Sequence, residues 1–174
     1  AREAENACEL STAESEQAKT ELLQYKSPLE SLVADRTEQL RDSEEYGRLI
    51  LQSVAEGIFG TDAQGRCTFA NAAACRMLGF TAEELTGRSI HEMFHHSNAD
   101  GTKHQKTECP IYLSYTRGIT SFRRDEVFWR KDNSFFNVSY TSVPQYKGGS
   151  ILGAVVVFRD IAERKKSRRR HKGE

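Results

Sequence analysis

No apolar run in this chain of 174 residues approaches the roughly twenty needed to cross a bilayer, and the N-terminus has no charged-then-apolar leader. No membrane segment is therefore expected. Cysteine is sparse and irregular: Cys8, Cys67, Cys75 and Cys109 form no C-x-x-C pair. Neither a zinc ribbon nor a disulfide framework is indicated, and a reducing, cytoplasmic setting is expected. Also missing is any Ser/His/Asp or paired-carboxylate spacing that would argue catalysis. Net charge is absent too, since 25 basic side chains balance 25 acidic ones.

The balance is not local. Residues 1–54 hold twelve acidic and six basic side chains, whereas residues 159–174 hold eight basic and three acidic. A tail running from Arg164-Lys165-Lys166 to Arg168-Arg169-Arg170 has the charge to meet nucleic acid or an anionic membrane surface. No helix-turn-helix pattern accompanies it, so it reads as the solvated start of a helix, with no nucleic-acid partner expected.

The N-terminal third is helical in composition. Ser11 and Glu14 have capping-box spacing for a helix ending near Tyr25, and Ser27-Pro28-Leu29-Glu30 predicts a fresh helix start, with Pro28 in the first turn where its missing N–H costs nothing. With Leu22 at heptad position a, Tyr25, Leu29, Leu32, Tyr46 and Ile50 fall on a or d, while Arg36, Gln39 and Ser43 interrupt the seam. That pattern predicts a weak parallel coiled coil between two copies, the alternative being a solvated helix packed on its own domain.

From Glu56 the period changes. Gly57–Asp62 and Arg66–Phe69 read as a hairpin, Asn71 as the cap of a helix closed by Gly79, and Thr81-Ala82-Glu83-Glu84 as a capping box opening a short helix closed by Gly87. Trp129 to Phe135 reads as a second hairpin turn, with Asn133 tolerating the left-handed conformation there. Phe135–Lys147 and Ile151–Phe158 read as two strands joined at Gly148-Gly149. The second, an almost continuous β-branched run, is expected to be covered on both faces or nearly so. It ends at Asp160, placed as a helix N-cap with Glu163 three residues on.

In order and spacing these features resemble a PAS domain over about residues 45–165. The family's closing aspartate-isoleucine-threonine signature stands here as Asp160-Ile161-Ala162, so the threonine is missing. Val33–Thr37 and Leu40–Glu45 resemble the linker helix ahead of PAS domains in bacterial sensor kinases. The resemblance implies an α+β fold: a five-stranded antiparallel sheet with short helices on one face, preceded by a long helix. The expected organisation is a helical or coiled-coil linker over 1–44, a sensor domain over 45–162 and the start of an output helix or basic tail over 163–174. By the same resemblance Phe94, Tyr112, Phe128 and Tyr140 would line a ligand pocket, the alternative being plain core, and Asp160, Ile161 and Glu163 would form the signal junction. Cys75 does not sit in the reactive-cysteine run of the light-oxygen-voltage branch and is expected to be a small buried core residue.

One stretch is left over. Ser89–Gly118 holds His91, His95, His96 and His104, four of the five histidines, within fourteen residues, followed by Cys109. His91 and His95, at i and i+4, share a helix face, and with His96 and Cys109 they are candidate metal ligands; a haem ligand is a further candidate role. The alternative is a polar turn at Asn98–Gly101 with solvated histidines around it. The chain is thus expected to be a regulatory segment without enzymatic activity. It would sense a small ligand or cofactor state, dimerise through its N- and C-terminal helices and relay the signal to an effector such as a histidine kinase. Two alternatives stay open: a ligand-free dimerisation and relay module, and a metal- or haem-bearing redox or gas sensor.

Overall fold

The computed structural model describes residues 2–162, with side chains from residue 13 onward. Glu163, the basic tail and the side chains of Cys8 and Ser11 lie outside the described residues. The chain falls into two compact units, residues 1–49 and 50–174.

One helix, α1 (Arg2–Ser53, 52 residues), accounts for the first unit. The expected break at Ser27-Pro28 does not occur, and Pro28 lies inside the helix. Proline removes one backbone donor and costs about 3 kcal/mol in a helix interior, but long runs of Ala, Glu, Gln, Leu and Lys on either side favour helix strongly enough to carry through it. The apolar residues at positions a and d, Leu22, Tyr25, Leu29, Leu32, Tyr46 and Ile50, are all exposed.

The second unit is a five-stranded sheet in the order β2-β1-β5-β4-β3, every neighbouring pair antiparallel. The strands are β1 (Gly57–Asp62), β2 (Cys67–Ala70), β3 (Ser121–Trp129), β4 (Phe135–Lys147) and β5 (Ser150–Asp160). Between β2 and β3 run α2 (Ala72–Leu78), α3 (Ala82–Leu85), α4 (Ile90–Phe94), a single 3₁₀ turn and α5 (Pro110–Arg117). The caps act locally as their residues require. Asn71 Oδ1 accepts from the Ala74 N–H, Thr81 and Glu84 close a reciprocal capping box, and Asn133 takes a φ of 62° at its turn. Gly118, with φ 69°, ends α5 and turns the chain into β3.

Inward-facing Phe59, Val138, Tyr140, Ala154, Val156 and Phe158 meet Leu78, Leu85, Ile90, Phe94, Ile111 and Tyr115 from the helices in one core. The β-branched run of β5 is not covered on both sides. Ala154, Val156 and Phe158 are buried, but Val155 and Val157 are half-buried and Leu152 is exposed. Composition alone cannot separate a strand covered twice from one whose outer face stays apolar and open. Cys75 is half-buried against the core rather than fully enclosed.

Candidate functional site

Three of the four expected pocket residues lie at the centre of the core, filled by their own rings. Phe94 meets Phe128 edge-on at 5.2 Å between centroids, and Phe128 stacks on Tyr140 at 5.5 Å. Phe59 and Phe158 close the group from β1 and β5. Tyr112 stands apart, half-buried and packed edge-on against Tyr115.

Next to it lies a polar interior. α4 ends at Phe94, so His91 and His95 stand one turn apart on the same face. The chain then folds back on itself: Ser97 pairs with Lys103, Gly101 turns with φ 83°, and the His104 N–H donates to the His96 carbonyl at 2.8 Å. This returns His104 beside His95, ring centroids 4.7 Å apart. Cys109, at the N-terminus of α5, completes the group: one ligand atom from each of His91, His95, His104 and Cys109 lies within 4.8 Å of every other. His96 does not join them. Its Nδ1 bonds Ser97 Oγ at 2.7 Å and its ring stacks on Trp129. The signal for His104 was the Asn98–Gly101 turn itself, since a reversal centred there sets residue 104 across from residue 96.

Glu126 has no counterpart in the sequence reading. It reaches the cluster because β3 is bulged between Arg123 and Glu126, with Asp125 at a φ of 64°. The His95 Nε2–H donates to Glu126 Oε2 at 3.0 Å, and the Tyr140 hydroxyl donates to the same oxygen at 2.8 Å. Tyr140 thus belongs to both interiors, its ring on Phe128 and its hydroxyl on Glu126.

The electrostatics follow from these contacts. Burial pushes the Cys109 thiol up, but the His91 and His95 imidazoles beside it outweigh that and bring it down to about 6. Burial lowers His95, whereas its bonds to Cys109 and Glu126 lift it to about 9. Both shifts favour the charged form of the group, and His95 Nδ1 lies 3.2 Å from Cys109 Sγ. Burial would raise the Glu126 carboxyl, and hydrogen bonds from His95 and Tyr140 hold it below the usual range. Burial, then the charge on His95, holds His104 below its ordinary value. The donor set suits a soft or borderline metal ion or a buried charge relay; a haem would need an imidazole nitrogen, at the ring edge, cleared of the side chains packed around it.

In the same cross-strand row as Glu126, with Val138 of β4 between them, Asp160 closes β5. Its Oδ1 accepts from the Ala162 N–H at 2.8 Å, the bond an N-cap makes, and its Oδ2 lies 3.6 Å from Arg130 Nη2. The Ile161 N–H donates to the Asn137 carbonyl. At the entry to the domain Asn71 does more than cap α2. Its Nδ2 donates to the Leu51 and Glu56 carbonyls, while its Oδ1 accepts from Ile58 as well as Ala74.

No helix among the described residues is long and apolar enough to cross a membrane. The signal transduction histidine-protein kinase AtoS of Escherichia coli is 27% identical over 138 residues, which cover 79% of this chain and 21% of that protein. The probable diguanylate cyclase DgcE of the same organism is 27% identical over 135 residues, 77% of this chain and 12% of that protein. The chain thus spans about a fifth or less of these two relatives. Among solved structures, the PAS domain of a Colwellia psychrerythraea protein superposes with a TM-score of 0.56 at 20% identity, covering 68% of this chain and 97% of that one. The PAS domain of nitrogen regulation protein NR(II) from Vibrio parahaemolyticus gives 0.53 at 17% identity, covering 66% and 97%. Residues 45–161, more than half of the chain, match the PAS fold, and the chain belongs to the PAS family of sensory and regulatory domains.

Proposed function

We propose that this chain is the sensory and relay segment of a longer signalling protein, without catalytic activity of its own. In this reading a ligand-dependent change in the sheet passes along β5 to Asp160, and from there to helices paired with a second copy and on to an effector such as a histidine kinase. One observation carries it: the central strand β5, flanked by β1 and β4 and buried along one face, ends at an aspartate fixed at once to Arg130 and to the outgoing backbone. Movement of the sheet therefore has little slack before it reaches the exit. The kinase AtoS supports the choice of effector by similarity. The exposed a and d residues of α1 support pairing with a second copy, since an apolar stripe on a 52-residue helix gains from burial against its own image.

Asp160→Ala in the full-length protein tests the junction. Effector output should lose its dependence on the signal while the domain's melting temperature stays within a few degrees. Unchanged regulation would remove the junction from the mechanism. Leu29→Glu with Leu32→Glu tests the pairing, and should convert a dimer to a monomer in sedimentation; a monomeric parent chain would refute it.

A second reading, a relay with no small molecule in the aromatic interior, is favoured by the rings of Phe94, Phe128 and Tyr140 filling that space. A metabolite that raised the melting temperature and was blocked by Phe128→Trp would exclude it.

A further inference from the structure

We propose that His91, His95, His104 and Cys109 bind one divalent transition-metal ion of the zinc class in a tetrahedral site, each imidazole ligating through Nδ1 and Cys109 as the thiolate. Use of this ion as the signal rests on the sensory reading above; its binding does not.

The hydrogen bonds select the ligating nitrogen. His91 Nε2 lies 2.9 Å from the His104 carbonyl, which can only accept, so that nitrogen carries the proton and Nδ1 carries the lone pair. His95 Nε2 likewise donates to Glu126. Both rings are held by their outer nitrogen with the inner one turned to the cluster, and a carboxylate or carbonyl behind an imidazole is the arrangement that orients metal-binding histidines. The Nδ1 atoms of His91 and His104 are buried and have no hydrogen-bond partner among the described residues. A purely hydrogen-bonded cluster explains the His95–Cys109 contact but leaves these two buried nitrogens unmatched, which is unfavourable away from water. A single cation at the centre satisfies all four donors.

The spacing is close to what such an ion requires. Tetrahedral bonds of about 2.0–2.3 Å set donors about 3.3–3.7 Å apart, and the four atoms here lie within 4.8 Å of one another, so small ring rotations close the site. The donor set selects the metal. Three imidazoles and a thiolate with no carboxylate in the inner set disfavour magnesium and calcium and favour borderline or soft ions. Access is provided by a cleft of about 180 Å³ lined by His95, Asn98, His104 and Glu126 among others. The ligands come from α4, the returning loop and the start of α5, so the ion would staple three segments that no disulfide joins.

The test is titration of the chelator-stripped chain with cobalt(II) as a spectroscopic stand-in for zinc. Thiolate-to-cobalt charge transfer and tetrahedral ligand-field bands should grow to one equivalent and vanish on addition of zinc. Cys109→Ser should abolish the charge-transfer band, and Glu126→Gln should weaken affinity by about ten- to a hundred-fold. His96→Ala should leave the titration unchanged. If Cys109→Ser fails to melt cooperatively, His104→Gln decides, because its side chain is only half-buried; it should lose the tetrahedral bands. Absence of the charge-transfer band in the parent chain, or equal titrations in the parent and His104→Gln, would overturn the site. Metal-independent effector output in the full-length protein, alongside a successful titration, would instead reject the ion as the signal and leave the site standing.

Discussion

Phe94 and His95 are neighbours in sequence, yet they enter two different interiors. Phe94 joins Phe59, Phe128 and Phe158 in a core whose rings satisfy one another by contact alone. His95 joins His91, His104, Cys109 and Glu126, where every group must be matched in proton and charge. The aromatic interior is built from ring-on-ring contacts among the chain's own side chains. The polar one retains two buried nitrogens without partners. Packing energy is nondirectional and can be fulfilled by any good fit, whereas a buried lone pair needs a particular atom opposite it, so incompleteness in the polar half is informative in a way that a loose aromatic contact would not be.

The sharpest way to break the comparison is to open the aromatic half. Phe128→Ala removes the ring that touches Phe59, Phe94, Phe136, Tyr140 and Phe158. It should destabilise the domain by about 3–5 kcal/mol in urea denaturation. A loss below 1 kcal/mol would mean the rings do not form the central support. Asn71 is the next test, because it is a buried polar group whose partners are all present. Asn71→Ala frees four backbone groups at once and should cost about 3 kcal/mol, without effect on metal binding.

How much of this was legible depends on whether the signal was local. The hairpins, the caps at Asn71 and Thr81, and the left-handed turn at Asn133 each depend on a few adjacent residues, and the structure places them where those residues require. Pro28 misled because its local start signal was weaker than the helix propensity of fifty surrounding residues. In the candidate site, His91 and His95 were legible from their i, i+4 spacing and Cys109 from its place in the same histidine-rich stretch. The adjacent pair His95-His96 was not separable, since neighbouring residues at the end of a helix face opposite ways once the chain unwinds. Glu126 was out of reach: it enters through a bulge in β3, thirty-one residues from its partner, and no periodicity marks it.

Tyr140 links the two interiors, and its hydroxyl can be removed while the ring stays. Tyr140→Phe deletes one donor to the Glu126 carboxylate and keeps the stack on Phe128, so it should cost about 1–2 kcal/mol. Of the cost, the larger share should disappear when Glu126→Gln is combined with it, as a double-mutant cycle would register. Additive losses would show that the hydroxyl and the carboxylate do not act together.

The smallest expected effect is a slope that vanishes. In metal-free protein the His95 contribution to stability is complete below the ordinary imidazole value of 6.5 and is lost as pH rises through about 9. The Cys109 contribution is complete above the ordinary thiol value of 9.0 and is lost as pH falls through about 6. The two run in opposite senses across the same window, so the folded and unfolded chains carry nearly equal numbers of protons and this pair leaves the unfolding free energy flat. The ionisation itself remains visible. Burial raises Cys67 to about 11 and raises Cys75 as well, so the difference in thiolate absorbance between the parent chain and Cys109→Ser isolates Cys109. That difference should appear with a midpoint near 6. A midpoint near 9 would mean the thiol is neutral beside His95, and the polar interior would then be a hydrogen-bonded cluster without an ion pair at its centre.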